Sequence, residues 1–351
     1  MIKSSRVLKP VAIVAGALGL SLGLAACSAP DAGTPSPTGA ELSIVASTSV
    51  YGQIASEIAA GIAGDAVSVT SIIDSSVNDP HSYEASARDR LDVSRADIVI
   101  MNGAGYDSFM GALLADDAGS GRTVLDVSEL SGLLPADADD HADHDHADDH
   151  ADHDHADDHA DESADESAEE HAGHDHVTGF NEHLWYNFDT MRHLAEAIEA
   201  ELAERAPDQA AQFAANAATF DTGLAALEAR TAALAAGHEG TPVTITEPVP
   251  LYLLEAAGLH NETPAAFSNA IEEGDDVAPR ALQQMIDIIK SPVALLAYNQ
   301  QTASPQTEVV RSAAEAASVP VVDFAETLPD GSTYLSWMGD NVTALETALS
   351  A

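Results

Sequence analysis

Short apolar segments rich in β-branched residues recur along the chain, and stretches with helical spacing separate them. They lie at residues 42–47, 67–73, 97–101, 123–127, 243–246, 293–298 and 319–323. Between the first two, Ile54, Ile58 and Ile62 recur at steps of four, as on one face of a helix. Strands that alternate with helices predict βα units around mostly parallel sheets. Because the pattern returns after residue 240, we predict an α/β protein with two lobes.

A long stripe of mostly apolar residues between these regions predicts one helix. Its members follow one another at alternating steps of four and three: Phe213, Ala217, Phe220, Leu224, Leu227, Thr231 and Leu234. Pro207 is a suitable start and Gly237 a suitable stop. About thirty residues at 1.5 Å each give a helix of roughly 45 Å, long enough to join two lobes. A shorter helix with Asp189 as its candidate N-cap precedes it. We therefore predict lobes over 41–206 and 237–351, joined by a rigid helix over 207–236.

The amino-terminal segment has the pattern of a secretory signal followed by a lipid-attachment cysteine. Lys3, Arg6 and Lys9 precede an apolar run at 11–24, and Cys27, the single cysteine of the chain, follows soon after. The run is too short for a membrane-spanning helix of about twenty residues. We expect a signal peptide over 1–26, a lipid on Cys27 and a flexible tether over 27–40. The protein is then extracytoplasmic and held at the cell membrane through its lipid anchor.

Charge separates one segment from the rest of the chain. Residues 137–176 hold 18 acids and 10 histidines but no Lys or Arg, so they contribute −18 to the formal charge of −45 and leave −27 elsewhere. Such a charge argues against a nucleic-acid partner, because phosphates require a positive surface. The tract has few side chains to bury, so we predict a disordered loop in the first lobe, with imidazoles that act as an auxiliary metal tract. These are His141, His144, His146, His150, His153, His155, His159, His171, His174 and His176.

Two of the five remaining histidines lie in loops next to predicted strands or helices. His81 follows the strand that ends near Ile73, and His183 precedes a helix. Ligands of open α/β sheets bind at the edge where strands lead into helices, so both are candidate ligands. We assign no site to His193, His238 or His260.

Three short motifs in order resemble a known family. DPHSYE at 79–84, ADIVI through NGAGY at 96–106 and EHLW at 182–185 are similar to motifs of the zinc- and manganese-binding solute-binding lipoproteins of bacterial ABC importers, the ZnuA- and TroA-like proteins. The resemblance extends from about residue 42 to the end. It implies two α/β lobes joined by one long helix, with a metal ion held between them.

The resemblance also implies a ligand set. His81 and His183 match the two histidine positions of the family, and Glu247 matches a third position that holds histidine or glutamate. The fourth position is usually an aspartate after the last strand. The Thr-Leu-Pro turn at 327–329 favours Glu326 there, and Asp323 remains an alternative.

Two imidazoles and two carboxylates favour Zn²⁺, while oxygen ligands leave Mn²⁺ as the alternative. We expect no enzymatic activity. The implied function is capture of a divalent ion by a monomer and its delivery to an ABC permease and its ATPase. Two other functions stay open: a zinc hydrolase, for which Glu182 beside His183 is a candidate base, and a metal buffer or adhesin that works through the histidine tract.

Overall fold

The structure is a computed structural model that describes residues 42–61, 66–75, 80–81, 83–115, 121–135, 177 and 179–350. The predicted signal peptide, Cys27 with its tether and the histidine-rich tract at 137–176 lie outside the described residues. No helix in the described ranges has both the length and the apolar character that a membrane crossing requires.

The first lobe is built on a parallel sheet with helices around it. Its strands are β1 (Leu42–Thr48), β2 (Val67–Ile73), β3 (Ile98–Met101) and β4 (Thr123–Asp126), in the order β2-β1-β3-β4. Its helices are α1 (Ser49–Ile58), α2 (Ala87–Arg95), α3 (Ser108–Ala115), α4 (Val127–Ser131) and α5 (Phe188–Arg205). In the central strand, Ile44 pairs with Val69 on one side and Ile98 on the other. Strand β1 has a neighbouring strand on each side, and both of its faces are covered. Its continuous apolar run is what such a central parallel strand requires.

The second lobe repeats this arrangement. Its strands are β5 (Thr241–Ile245), β6 (Leu259–Asn261), β7 (Leu296–Asn299) and β8 (Val321–Phe324), again parallel and ordered β6-β5-β7-β8. Its helices are α7 (Leu251–Ala256), α8 (Ala265–Glu272), α9 (Pro279–Ile289), α10 (Pro305–Ala316) and α11 (Tyr334–Leu349). The predicted α/β class with two lobes is confirmed. The sequence pattern missed β6, the strand in which His260 lies.

The long helix α6 (Ala210–His238) follows a 3₁₀ turn at Pro207–Gln209. Phe213, Phe220, Leu224, Leu227 and Thr231 form its buried face, as the stripe predicts. It packs against α1 and α5 of the first lobe and against α7 and α11 of the second. Its end differs from the prediction, because helical hydrogen bonding continues past Gly237 and the chain turns at Gly240 with a φ of 70°.

One apolar cluster continues through both lobes. It joins Ile44 and Ile100 of the first sheet to Ile245 and Ala297 of the second through Trp185 and the buried face of α6. Aromatic pairs lie where the lobes meet: the Tyr186 ring centroid is 5.9 Å from that of Phe324 and 5.7 Å from that of Trp337. This shared core brings the carboxyl ends of the two sheets to one place.

Candidate metal centre

Three predicted ligands come together at the carboxyl ends of the strands. His81 follows β2, His183 precedes the 3₁₀ turn Leu184–Tyr186, and Glu326 follows β8. One ligand atom from each lies within 4.8 Å of the other two. His183 and Glu326 are almost fully buried, with exposed fractions of 1% and 3%. Two imidazoles from the first lobe therefore face a carboxylate from the second.

The ring of His183 is oriented by Asn181. Nδ1 of the imidazole lies 2.8 Å from Oδ1 of Asn181, which also accepts the backbone N–H of His183 at 3.2 Å. The asparagine amide nitrogen donates to the carbonyl of Pro248 at 3.2 Å, so its oxygen is the atom that faces the ring. When Nδ1 carries the proton and donates to this oxygen, Nε2 presents a lone pair to the cluster. Fixing the tautomer through the second ring nitrogen is the usual way in which proteins prepare a histidine ligand.

Both oxygens of Glu326 receive hydrogen bonds. The amide nitrogen of Asn299 donates to Oε1 at 2.7 Å, and the Tyr106 hydroxyl donates to Oε2 at 3.5 Å. The backbone N–H of Glu326 donates to the side-chain oxygen of Gln301 at 2.5 Å. The carboxylate is thus held from the end of β7 and from the first lobe, and the loop after β7 holds the backbone of Glu326.

Glu247 is buried beside this cluster, at the carboxyl end of β5. Its Oε2 accepts hydrogen bonds from Asn299 Nδ2 and Thr302 Oγ1, both at 2.5 Å. Asn299 therefore bridges the carboxylates of Glu247 and Glu326. Among the described residues, the groups whose ligand atoms lie within 4.8 Å of one another do not include Glu247. The Glu247 side chain nevertheless lies in the same buried polar region as Glu326, because Asn299 contacts both.

Asp323, the alternative fourth ligand, is not brought to the cluster. It lies on β8, where its carboxylate accepts hydrogen bonds from the Arg311 guanidinium at 2.8 and 3.4 Å. Successive residues of a strand point to opposite faces, and Asp323 is on the exposed one.

Two further carboxylates lie close to the imidazoles. Oε1 of Glu272 is 3.3 Å from Nε2 of His183 and 3.8 Å from Nε2 of His81. Oε1 of Glu182 is 3.7 Å from Nδ1 of His81. The sequence motif contains Glu182, but no pattern pointed to Glu272, which is the last residue of α8 and distant in sequence from both histidines.

Hydrogen bonds tie the His183 segment of the first lobe to the ligand loops of the second. The Tyr252 hydroxyl donates to the carbonyl of Asn181 at 2.8 Å, close to the Glu247 loop. The Tyr186 hydroxyl donates to the carbonyl of Ala325, next to Glu326, also at 2.8 Å. These bonds fix the two halves of the cluster relative to each other without involving the ligand atoms.

A buried aspartate supports the Tyr106 loop. Asp107 accepts the backbone N–H of Asn102 at 2.6 Å and that of Gly103 at 3.0 Å. Burial raises the pKa of Asp107 to about 6, although these hydrogen bonds act in the opposite direction. Asp107 thereby shapes the turn that presents Tyr106 to Glu326 and to His81, whose ring centroid is 4.8 Å from that of Tyr106.

Comparison with known proteins shows the family of the chain. The family model described as zinc-uptake complex component A, periplasmic, matches residues 44–348. The chain belongs to this family. The resemblance carried by the sequence motifs is thereby confirmed, and the chain is a divalent-metal-binding component of an ABC importer that works outside the cytoplasm.

Relatives and structural neighbours of the chain are named for different metals. The manganese-binding lipoprotein MntA of Halalkalibacterium halodurans is 27% identical over 274 residues, covering 77% of this chain and 74% of that protein. The periplasmic zinc-binding protein TroA of Treponema pallidum has a TM-score of 0.62 at 19% identity, covering 88% of this chain and 99% of that one. FpvC of Pseudomonas aeruginosa, in a complex with Ni²⁺, has a TM-score of 0.61 at 21% identity, covering 89% and 97%. The family therefore establishes a divalent-metal carrier and leaves the ion to be inferred from the site.

Proposed function

We propose that the protein captures Zn²⁺ with His81, His183, Glu247 and Glu326 and delivers it to an ABC permease driven by its ATPase. The supporting observation is the convergence of His81, His183 and Glu326, whose ligand atoms lie within 4.8 Å of one another although the residues come from two lobes. Ligands about 2.0 to 2.2 Å from a tetrahedral ion are about 3.3 to 3.6 Å apart. A small closing movement of these side chains therefore completes a zinc site.

Glu247 is the fourth ligand in this proposal. Asn299 and Thr302 both donate to its Oε2, and in this proposal its Oε1 faces the ion. The bridge from Asn299 to Glu326 keeps the two carboxylates close together despite their mutual repulsion. A dication neutralises that repulsion.

Mn²⁺ is the second candidate, since two of the four proposed ligands are carboxylates and hard oxygen ligands suit this ion. The manganese-binding relative from Halalkalibacterium halodurans favours the same ion. The imidazoles favour Zn²⁺, which exceeds Mn²⁺ in affinity for nitrogen ligands. Competition between the two ions for the purified protein distinguishes them.

The membrane attachment is part of the proposal and derives from sequence. Signal cleavage before Cys27 and lipidation of this residue anchor the protein by its tether over 27–40. The folded part then comprises the lobes proposed at 41–206 and 237–351, and the linking segment at 207–236 contains most of α6. The protein acts as a monomer beside its permease.

Replacing a proposed ligand tests the site. In the presence of a chelator that strips weakly held ions, the unaltered chain is expected to retain one Zn²⁺ per molecule by elemental analysis. His183→Ala is expected to retain none, because the site loses a buried imidazole. His193→Ala is the matched control, since His193 is exposed on α5. Full retention of the ion by both His183→Ala and His81→Ala would contradict the proposal.

A further inference from the structure

Glu272 occupies the position of a metal ligand although no family motif assigns it. Its Oε1 lies 3.3 Å from Nε2 of His183 and 3.8 Å from Nε2 of His81. The separation between His81 Nε2 and Glu326 Oε2 is also 3.8 Å. These values are close to the spacing of about 3.3 to 3.6 Å between two ligands of one tetrahedral ion. Glu272 also belongs, with His81 and Glu182, to a second group of ligand atoms that lie within 4.8 Å of one another.

The hydrogen bond to Asn181 determines which ring nitrogen of His183 can face Glu272 as a ligand. When Nδ1–H donates to Asn181, Nε2 presents its lone pair on the side of the Glu272 oxygen. A nitrogen lone pair and a carboxylate oxygen at this distance can both donate electron pairs to one metal ion.

The position of Glu272 in α8 is itself electrostatically unfavourable. It is the last residue of the helix, where the backbone carbonyls carry partial negative charge, and no basic residue occupies the last turn. Glu273, Asp275 and Asp276 follow it and add further negative charge. A dication beside Glu272 offsets this repulsion. The carboxylate of Glu273, by contrast, is exposed to water.

The second-lobe core fixes α8 in a position to reach the first lobe. Phe267 and Ile271 pack with Val277, Met285 and Tyr298 in one apolar cluster. The helix therefore ends at a defined point, and the Glu272 side chain, only 14% exposed, extends towards the imidazoles. A second-lobe element other than the loops of Glu247 and Glu326 thus contacts both histidines.

We propose that Glu272 binds the captured ion as a fifth protein ligand and thereby sets how well Mn²⁺ is accepted relative to Zn²⁺. The inference rests on the proposed function, since it concerns the same ion. With it, the site offers two nitrogens and at least three oxygens. Mn²⁺ prefers oxygen ligands and higher coordination numbers, while Zn²⁺ is satisfied by four ligands. Removing Glu272 therefore weakens the binding of Mn²⁺ more than the binding of Zn²⁺.

The test compares Glu272→Gln with Glu273→Gln in the full chain. Both changes remove one negative charge near the end of α8, but only the first removes a carboxylate next to the imidazoles. Dissociation constants for Zn²⁺ and Mn²⁺ are measured by competition with a chelator. We expect Glu272→Gln to raise the dissociation constant for Mn²⁺ by at least about tenfold and that for Zn²⁺ by less. A tenfold change is in the range known for groups that support a metal site. Glu273→Gln is expected to leave both constants unchanged.

X-ray absorption at the Mn edge separates direct ligation from a purely structural role. We expect one fewer oxygen neighbour in Glu272→Gln than in the unaltered chain, and the same loss in Glu272→Asp, whose shorter side chain keeps the charge but withdraws the oxygen. Equal constants and equal coordination in Glu272→Gln and Glu273→Gln would overturn the inference. If His183→Ala abolishes tight binding at the same time, only the role of Glu272 fails. If His183→Ala binds normally, the proposed site itself fails.

Discussion

At the scale of single residues, Asn299 determines how two like charges coexist in the centre. Its amide supplies one hydrogen to Glu247 and one to Glu326, and its oxygen accepts the backbone N–H of Gln301 at 3.1 Å. Asn299, which makes all three of these bonds, is only 2% exposed. Unpaired polar groups are costly to bury, so this network fixes the carboxylates in one arrangement. The network therefore orders the two carboxylates that the proposed site requires.

Asp107 gives a prediction for pH. Burial raises its pKa to about 6 from the ordinary value of 3.8, so the folded protein binds this proton more tightly than the unfolded chain. The associated stability is fully present below about pH 4 and is lost as the pH rises through 6. A shift of this size corresponds to about 3 kcal/mol. Asp107→Asn does not titrate, so between pH 4 and 7 the unaltered chain should lose about 2 kcal/mol of unfolding free energy relative to the variant, since part of the total is already lost at pH 4.

Urea unfolding of both metal-free proteins at several pH values measures this difference. Parallel pH profiles for the two proteins would show that Asp107 does not titrate in this range. The measurement is independent of metal affinity, because Asp107 supports the Tyr106 turn and lies outside the proposed ligand set.

Sequence could identify the site residues that belong to short motifs and could not identify those that tertiary packing supplies. His81 and His183 lie in recognisable segments that follow or precede regular elements. Glu272 is an unremarkable acid at a helix end, and only the docking of α8 on the second-lobe core brings it to the imidazoles. Along the chain, the Thr-Leu-Pro turn favours Glu326, and Asp323 remains an alternative. The strand alternation of β8 separates them, because it directs Asp323 to Arg311.

At the scale of elements, α6 stabilises the end of α1 through one side chain. The Asn216 amide nitrogen donates to the carbonyls of Ile58 at 2.8 Å and of Ala60 at 2.9 Å. The last carbonyls of a helix have no partner within it, so a side chain from a neighbouring helix can satisfy them. The same helix α1 carries Gln53, whose side-chain oxygen accepts the backbone N–H of Tyr334 of α11 at 2.8 Å. Asn216 thus supports an element that contacts both lobes.

Asn216→Ala is expected to lower the free energy of unfolding by about 1 to 2 kcal/mol, because it removes two hydrogen bonds, of which the one to Ile58 is partly buried. Thr219→Ala is the control: Thr219 is exposed on the same helix and bonds only to the carbonyl of Ala215. Alanine is the better helix former at either position. Equal stability of the two variants in urea unfolding would refute a capping role for Asn216.

Element types were predictable from hydrophobic periodicity, whereas their ends depended on local hydrogen bonds. Asp189 is a reasonable N-cap by residue type, but Asn187 caps α5 by accepting the backbone N–H of Thr190 at 3.0 Å. Asp189 instead lies in the first turn, where its charge also suits the helix dipole. Strand β6 has only three residues, too few for a period of two to show. These differences arise where one hydrogen bond decides a boundary.

At the scale of the whole molecule, the two lobes share one core and one charge imbalance. The apolar cluster runs through both sheets, so wide separation of the lobes would expose large buried side chains such as Trp185 and Tyr186. We therefore expect ion release to involve mainly the ligand loops and α8. The chain carries 58 acids against 13 bases, and a field of this sign attracts divalent cations and is screened by salt.

The histidine-rich tract provides the last prediction. It holds 18 of the acids and 10 of the 15 histidines, yet each ion that it binds must order a segment with little apolar surface. Its sites are therefore expected to be weak, and the proposed site at His81, His183, Glu247 and Glu326 is expected to be tight. Deleting residues 137–176 should leave one tight Zn²⁺ in a calorimetric titration and remove the weaker class. Replacing its ten histidines with Asn, at unchanged length and acidity, separates the imidazoles from the carboxylates. If the deletion removed the tight ion, the tract would be the segment that captures metal, as in a metal buffer or adhesin. The proposed site would then not account for capture.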